Sequence, residues 1–190
     1  MLMSLSRKFA ALLLNDSSDP DKIEACAYGI DLALYTMLST LTLILIGCVF
    51  GKMIDTVILI MTYYLNQTIG GGYHASTHWR CFVSMVISLL ICLALIQFFQ
   101  SVAFLPSALA LISAAVLWRH PLHLHPNKAY LKDKAATMKE KSRICSLGSL
   151  IAVLVLVLAG TTCAFSAALG LFAAALSRLI GIKYQEGKIS

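Results

Sequence analysis

The sequence predicts an all-α, polytopic integral membrane protein of about six membrane helices, preceded by an amphipathic helix at the membrane surface. Three observations carry this. Apolar residues make up 59% of the 190-residue chain and the mean hydropathy is +0.82, far outside the range of soluble globular proteins. Only 13% of residues are charged, and they fall into a few clusters. Between the clusters run long apolar stretches of the kind that cross a bilayer. The net charge of +6 does not point to nucleic acid, because the basic residues sit between or beside apolar spans and no nucleic-acid fold signature is present. They read as topology signals and as a surface for anionic lipid or an acidic partner. The whole chain, 1–190, reads as one membrane-embedded domain.

Met1 to Leu14 (MLMSLSRKFAALLL) mixes apolar and basic positions and is too short to span, which predicts a surface helix; with the loop after it, this segment covers 1–22. It lacks the short apolar core and small-residue cleavage site of a secretory signal peptide. Asn15 to Pro20 carries helix-start chemistry, with Ser18 or Asp19 as N-cap before Pro20. The first span runs from about Ile23 or Ala27 to Phe50 and holds Asp31 roughly one turn inside. That carboxylate is either at headgroup depth or buried and turned toward a site, where it would orient a histidine. Gly51-Lys52 is a tight turn. Met53 to Asn66 predicts a shorter helix, cut off by glycines before it completes a crossing. Cys81 to Phe99 and Val102 to Trp118 are the third and fourth spans. Arg119 to Arg143 is a basic loop, with seven Lys and Arg residues against Asp133 and Glu140. Ile144 to Gly160 and Ala164 to Ile182 form a final hairpin, followed by a polar tail.

With six crossings and a cytoplasmic N-terminus, the outward connections at Lys52, Gln100-Ser101 and Thr161-Thr162 carry a single basic residue between them. The positive-inside rule is then satisfied, and both termini and the turn at Gly70–Cys81 face the cytoplasm of a bacterial cell membrane. In that reducing compartment Cys81 is expected as a free thiol. The other cysteines of the apolar spans, Cys48, Cys92 and Cys163, read as small hydrophobes.

The polar turn Gly70-Gly71-Gly72-Tyr73-His74-Ala75-Ser76-Thr77-His78-Trp79-Arg80-Cys81 is where chemistry is expected. Three glycines permit unusual backbone angles and close approach. A histidine beside a cysteine supplies the parts of an activated sulfur nucleophile. On one unbroken helix His74 and Cys81 would share a face about 10 Å apart, too far for contact, so a dyad between them needs the chain to bend. His78, three residues before Cys81, is a rival base and is slightly favoured on geometry alone.

GGGYHASTHWRC resembles the core motif of the accessory gene regulator B family, membrane cysteine endopeptidases of Gram-positive quorum sensing. That motif is Gly-Gly-x-His with a cysteine seven residues after the histidine, matched here by Gly71, Gly72, His74 and Cys81. The resemblance extends over essentially the whole chain, including the basic loop with Pro126-Asn127-Lys128. It implies Cys81 as nucleophile and His74 as general base. It further implies proteolytic removal of the C-terminal part of a small amphipathic propeptide through an acyl-enzyme thioester, and cyclisation of the remainder to a thiolactone or lactone. No cofactor or metal is implied. The substrate's acidic tail is expected to dock on basic residues, Lys128 among them, and the family suggests a homodimer. Where the family often carries an arginine seven residues before the histidine, this chain has Gln67; Arg80 or the basic loop is the expected substitute. Asp31 and Gln67 are candidates for groups near the dyad.

Two alternatives come from other classes. One is a small transporter or metal-handling protein using His74, His78 and the cluster His120, His123 and His125. His74 and His78 have the spacing of two zinc ligands on one helix face, but Ala75 stands where a zinc protease would carry glutamate. Asp31 and Asp55 are the only carboxylates expected within the spans, few for a cation pathway. The other is a non-catalytic scaffold, for which Cys81 would be no more reactive than Cys92.

Overall fold

Long apolar runs broken at glycine, proline and charged residues leave helices as the only way to satisfy backbone polar groups in lipid. The computed structural model of the chain describes residues 6, 8–10, 12, 20–73, 77–122 and 135–189, with the side chains of 20, 21 and 185–189 excepted. Six helices follow in order: α1 (Pro20–Val49), α2 (Met53–Gly70), α3 (His78–Phe99), α4 (Leu105–Arg119), α5 (Ala135–Leu158) and α6 (Cys163–Ile189). The described positions of the N-terminal segment, 6, 8–10 and 12, are also helical, and no strand occurs among the described residues.

α1, α3, α5 and α6 each contain a stretch long and apolar enough to cross a membrane, and α4 is a shorter apolar helix. Among the described residues, length and composition thus establish four candidate spans and one shorter apolar helix. α2 is longer than the sequence suggests. It continues past Asn66 through Thr68 to Gly70, giving 18 residues and about 27 Å of rise. Its polar end stays helical because partners from α5 and α6 take up its side chains. The basic segment is likewise shorter than expected, since 135–143 form the first turns of α5, and the polar tail of the chain continues α6.

The first compact unit, Met1–Leu43, contains most of α1. There Thr36, Ser39 and Thr42 donate to the carbonyls of Leu32, Tyr35 and Leu38, so these three hydroxyls need no partner outside the helix. Leu32, Met37, Leu38 and Leu41 are exposed, as lipid-facing side chains would be. Asp31 is half-buried on this helix.

The second unit, Ile44–Ser190, is built around α6. α2 packs on α6 most broadly, then α4, with α5 against both α4 and α6 and α3 only lightly attached to α6. The core joins Ala110, Leu117, Val153, Ala167, Ala168, Leu171 and Ala175. Small residues let the helices close up: at Gly170 a side chain would run into the backbone of Leu59 and into Thr62.

Both ends of this unit are polar. At one, Lys52 Nζ donates to Gln100 Oε1 at 3.1 Å and lies 3.9 Å from the Asp55 carboxylate, which accepts a short hydrogen bond from Ser166. The α1–α2 and α3–α4 connections therefore meet at the end where α6 begins. The glycine turn lies at the other end.

Candidate functional site

α2 ends because Gly71 leaves the helix with φ 70° and ψ −175°, a conformation essentially reserved for glycine. Its N–H closes the last turn onto the Gln67 carbonyl at 2.9 Å. The chain then passes Gly72, which is buried where a Cβ would strike the side-chain amide of Gln67. Tyr73 follows; its N–H is shared between the carbonyl of Ser177 at 3.0 Å and that residue's Oγ at 3.2 Å. The Tyr73 ring meets Tyr184 edge-on, with centroids 5.5 Å apart.

Two consecutive residues of α6 hold this turn. Ser177 Oγ also accepts from Gln67 Nε2 at 3.1 Å. Arg178 is completely buried. Its Nε donates to the Gly71 carbonyl at 3.3 Å and its Nη2 to the Asn66 carbonyl at 2.9 Å. Its Nη1 reaches the carbonyls of His120 at 3.2 Å and Pro121 at 2.9 Å and the hydroxyl of Ser142 at 3.2 Å. The guanidinium thus caps the carbonyl ends of α2 and α4, where backbone acceptors lack intrahelical partners and the helix dipoles are negative. Gly70 makes room for it, since a Cβ there would occupy the space of the guanidinium. Asn66, also buried, donates to Ser149 Oγ at 2.9 Å and ties α2 to α5.

Across the turn, Thr77 is the N-cap of α3 in an extended conformation, its hydroxyl accepting from the N–H of Arg80 at 3.4 Å. Cys81 falls in the first full turn of α3, its own N–H bonded to the Thr77 carbonyl at 3.1 Å. The side chain is half-buried, and none of the six cysteines is in a disulfide. A helix N-terminus favours the thiolate over the thiol, so this is a position suited to a nucleophile. Ser84 donates to the Cys81 carbonyl at 2.8 Å, a contact within α3.

Of the residues expected at the site, Gly71, Gly72, Gln67 and Cys81 are thus described at or beside the turn. Arg80 is exposed on the first turn of α3, as are His78 and Trp79. Asp31 lies on α1 in the first compact unit. His74 and Lys128 fall outside the described residues, as do His123, His125 and the Pro126-Asn127 pair. Among the described residues, no three His, Cys, Asp or Glu side chains gather as metal ligands. Gln67 is buried, and its Oε1 has no hydrogen-bond partner, an acceptor left open inside the turn.

Sequence reasoning missed Ser177 and above all Arg178. The signal was present: Arg178 is the one charged residue between Cys163 and Ile182, and an ionisable residue inside an apolar span is a functional candidate by default. It supplies from α6 a guanidinium at the turn where Gln67 supplies none.

No curated protein and no solved structure matches this chain. Its sequence does match the family described as Accessory gene regulator B over residues 6–180, nearly its full length. With a glycine-terminated α2 followed by a cysteine in the first turn of α3, the chain belongs to the accessory gene regulator B family.

Proposed function

We propose that this protein is a membrane-embedded cysteine endopeptidase that matures a small quorum-sensing propeptide. The observation that carries this reading is the half-buried thiol of Cys81, not in a disulfide, in the first turn of α3 that follows a glycine turn anchored on α6. The family to which the chain belongs is associated with quorum-sensing peptide processing, and that association supports it.

In the proposed reaction His74 takes the proton of Cys81, and the thiolate attacks the scissile carbonyl carbon. The oxyanion that forms needs donors, for which backbone N–H groups near the turn are candidates. Collapse expels the C-terminal fragment as an amine, protonated by the imidazolium of His74, and leaves the N-terminal part as a thioester on Cys81. A propeptide cysteine then attacks this thioester, releasing the Cys81 thiolate and closing a thiolactone; a serine in its place would give a lactone. Exchange of one thioester for another conserves the acyl bond energy, so no ATP is required. Water would divert the intermediate to a linear acid, and a water-poor site favours the ring.

The reading includes six crossings of a bacterial cell membrane, with both termini and the site on the cytoplasmic side. The basic residues of 119–143 would receive the acidic part of the substrate. A homodimer is part of the same proposal.

The test is co-expression with the short amphipathic peptides encoded beside the gene, following their masses. Cys81→Ala and His74→Ala should both abolish processing, with His78→Ala active. Processing that survives Cys81→Ala would overturn the protease reading.

A further inference from the structure

A guanidinium buried inside an apolar span is costly to desolvate, and an apolar side chain would fill the same space without that cost. The five hydrogen bonds of Arg178 show what it does instead. Four go to backbone carbonyls, and all four of those carbonyls lie at a helix end or just beyond one. Non-helical backbone at membrane depth must find its partners within the protein. Among the described residues no carboxylate pairs with Arg178, so these carbonyl dipoles and the Ser142 hydroxyl are what stabilise its charge.

The contacts divide between two places. Nε and Nη2 hold the Asn66 and Gly71 carbonyls, on either side of the end of α2; Nη1 holds His120, Pro121 and Ser142, which flank the basic segment. The preceding residue, Ser177, grips Tyr73 and Gln67. Only Gly72 and Tyr73 separate Gly71 from His74, so whatever fixes the backbone at Gly71–Tyr73 fixes the point from which the chain continues to His74.

We propose that Arg178 is a positioning residue for the Cys81 nucleophile, acting through the Asn66 and Gly71 carbonyls that its planar fork holds in register with α6. The proposal rests on the reading that Cys81 is activated by His74. Lysine cannot replace it, because a point charge on a flexible stem does not hold several carbonyls in fixed directions.

The test uses the full chain in lipid nanodiscs. Iodoacetamide alkylation of each cysteine is followed by mass spectrometry as a function of pH, in wild type, His74→Ala, Arg178→Lys, Arg178→Met and Gly70→Ala. The last leaves the arginine in place but puts a methyl group where its guanidinium lies. Hydrogen exchange across 70–73 is measured alongside. The expected result is that each Arg178 variant and Gly70→Ala moves the Cys81 profile up toward that of His74→Ala. A displacement of about one pH unit lowers the rate roughly tenfold at pH values below both midpoints. Exchange across the turn should rise, while Cys48 at the other end of the bundle reacts as in wild type. Arg178→Lys and Gly70→Ala with wild-type profiles and wild-type exchange would overturn the proposal. General unfolding in every variant, seen as faster alkylation of Cys48 and Cys163 as well, would also overturn it, because the residue would then be structural alone. If Cys81 in wild type is no more reactive than in His74→Ala, the activated-nucleophile reading itself fails. Exchange across 70–73 still reports whether Arg178 holds the turn.

Discussion

Replacing Gly71 with alanine tests the glycine turn most directly. At φ 70° and ψ −175° an L-residue is strained by about 1–3 kcal/mol. The chain can escape that strain only by rotating the peptide, which sacrifices the carbonyl contact to Arg178 Nε and the Gly71 N–H bond to Gln67. A hydrogen bond to a charged group contributes about 1.5–3 kcal/mol, so either route costs about 1–3 kcal/mol. Two other glycines calibrate the experiment. Gly72→Ala meets only the flexible end of Gln67 and should cost less. Gly148 lies on α5, and a methyl group added there would have nothing within 4 Å. Gly148→Ala should therefore be neutral or slightly stabilising, by up to about 1 kcal/mol from helix propensity. Reversible unfolding in mixed detergent gives the three free energies, and propeptide processing gives the three activities. The expected order of loss is Gly71, then Gly72, then Gly148 in both. Gly71→Ala with wild-type stability and activity would refute the claim that this backbone conformation is required.

Other consequences can be checked in the same assays. Thr77→Ala removes the cap of α3 and should destabilise by about 0.5–2 kcal/mol, with a loss of Cys81 reactivity larger than at Cys92, because the first turn of α3 frays. Gly170→Ala drives a methyl group into the Leu59 backbone at the α2–α6 contact; a loss of about 1–3 kcal/mol is expected in the unfolding titration. A double-mutant cycle on Asn66 and Ser149 should return a coupling of about 0.6 kcal/mol, the usual size of an interhelical hydrogen bond in a membrane.

Hydropathy and turn residues were enough to place every helix, because in lipid the alternatives to a helix are so few. The break at the glycines was legible too, as conformationally permissive residues where apolar ones are expected. The helix ends were harder. Asn66, Gln67 and Thr68 look like the end of a helix, yet α2 continues because Ser149 and Ser177, more than 80 residues away, accept from the side-chain amides of Asn66 and Gln67. Residues 135–143 look like loop for their charge, but there Arg143 lays its guanidinium 5.2 Å from the Trp118 ring and Ser142 meets Arg178. Arg178 shows why such contacts escape a reading of sequence. Four of its five partners are backbone carbonyls, which carry no residue-type signal. Only its isolation in an apolar span marks it.

The two polar ends of the second unit share one supplier. Ser166, which holds Asp55 at one end, and Ser177 and Arg178, which grip the glycine turn at the other, all belong to α6. A ribosome makes α6 after the five other helices. During synthesis the glycine turn and the Cys81 segment are therefore already in the membrane while every group that anchors the turn is still missing. The turn gains its α6 anchors only when that helix packs against both α2 and α4, so a nascent or truncated chain carries Cys81 beside a turn that lacks them. If Cys81 is the nucleophile proposed above, biosynthetic order withholds its activation until the chain is complete.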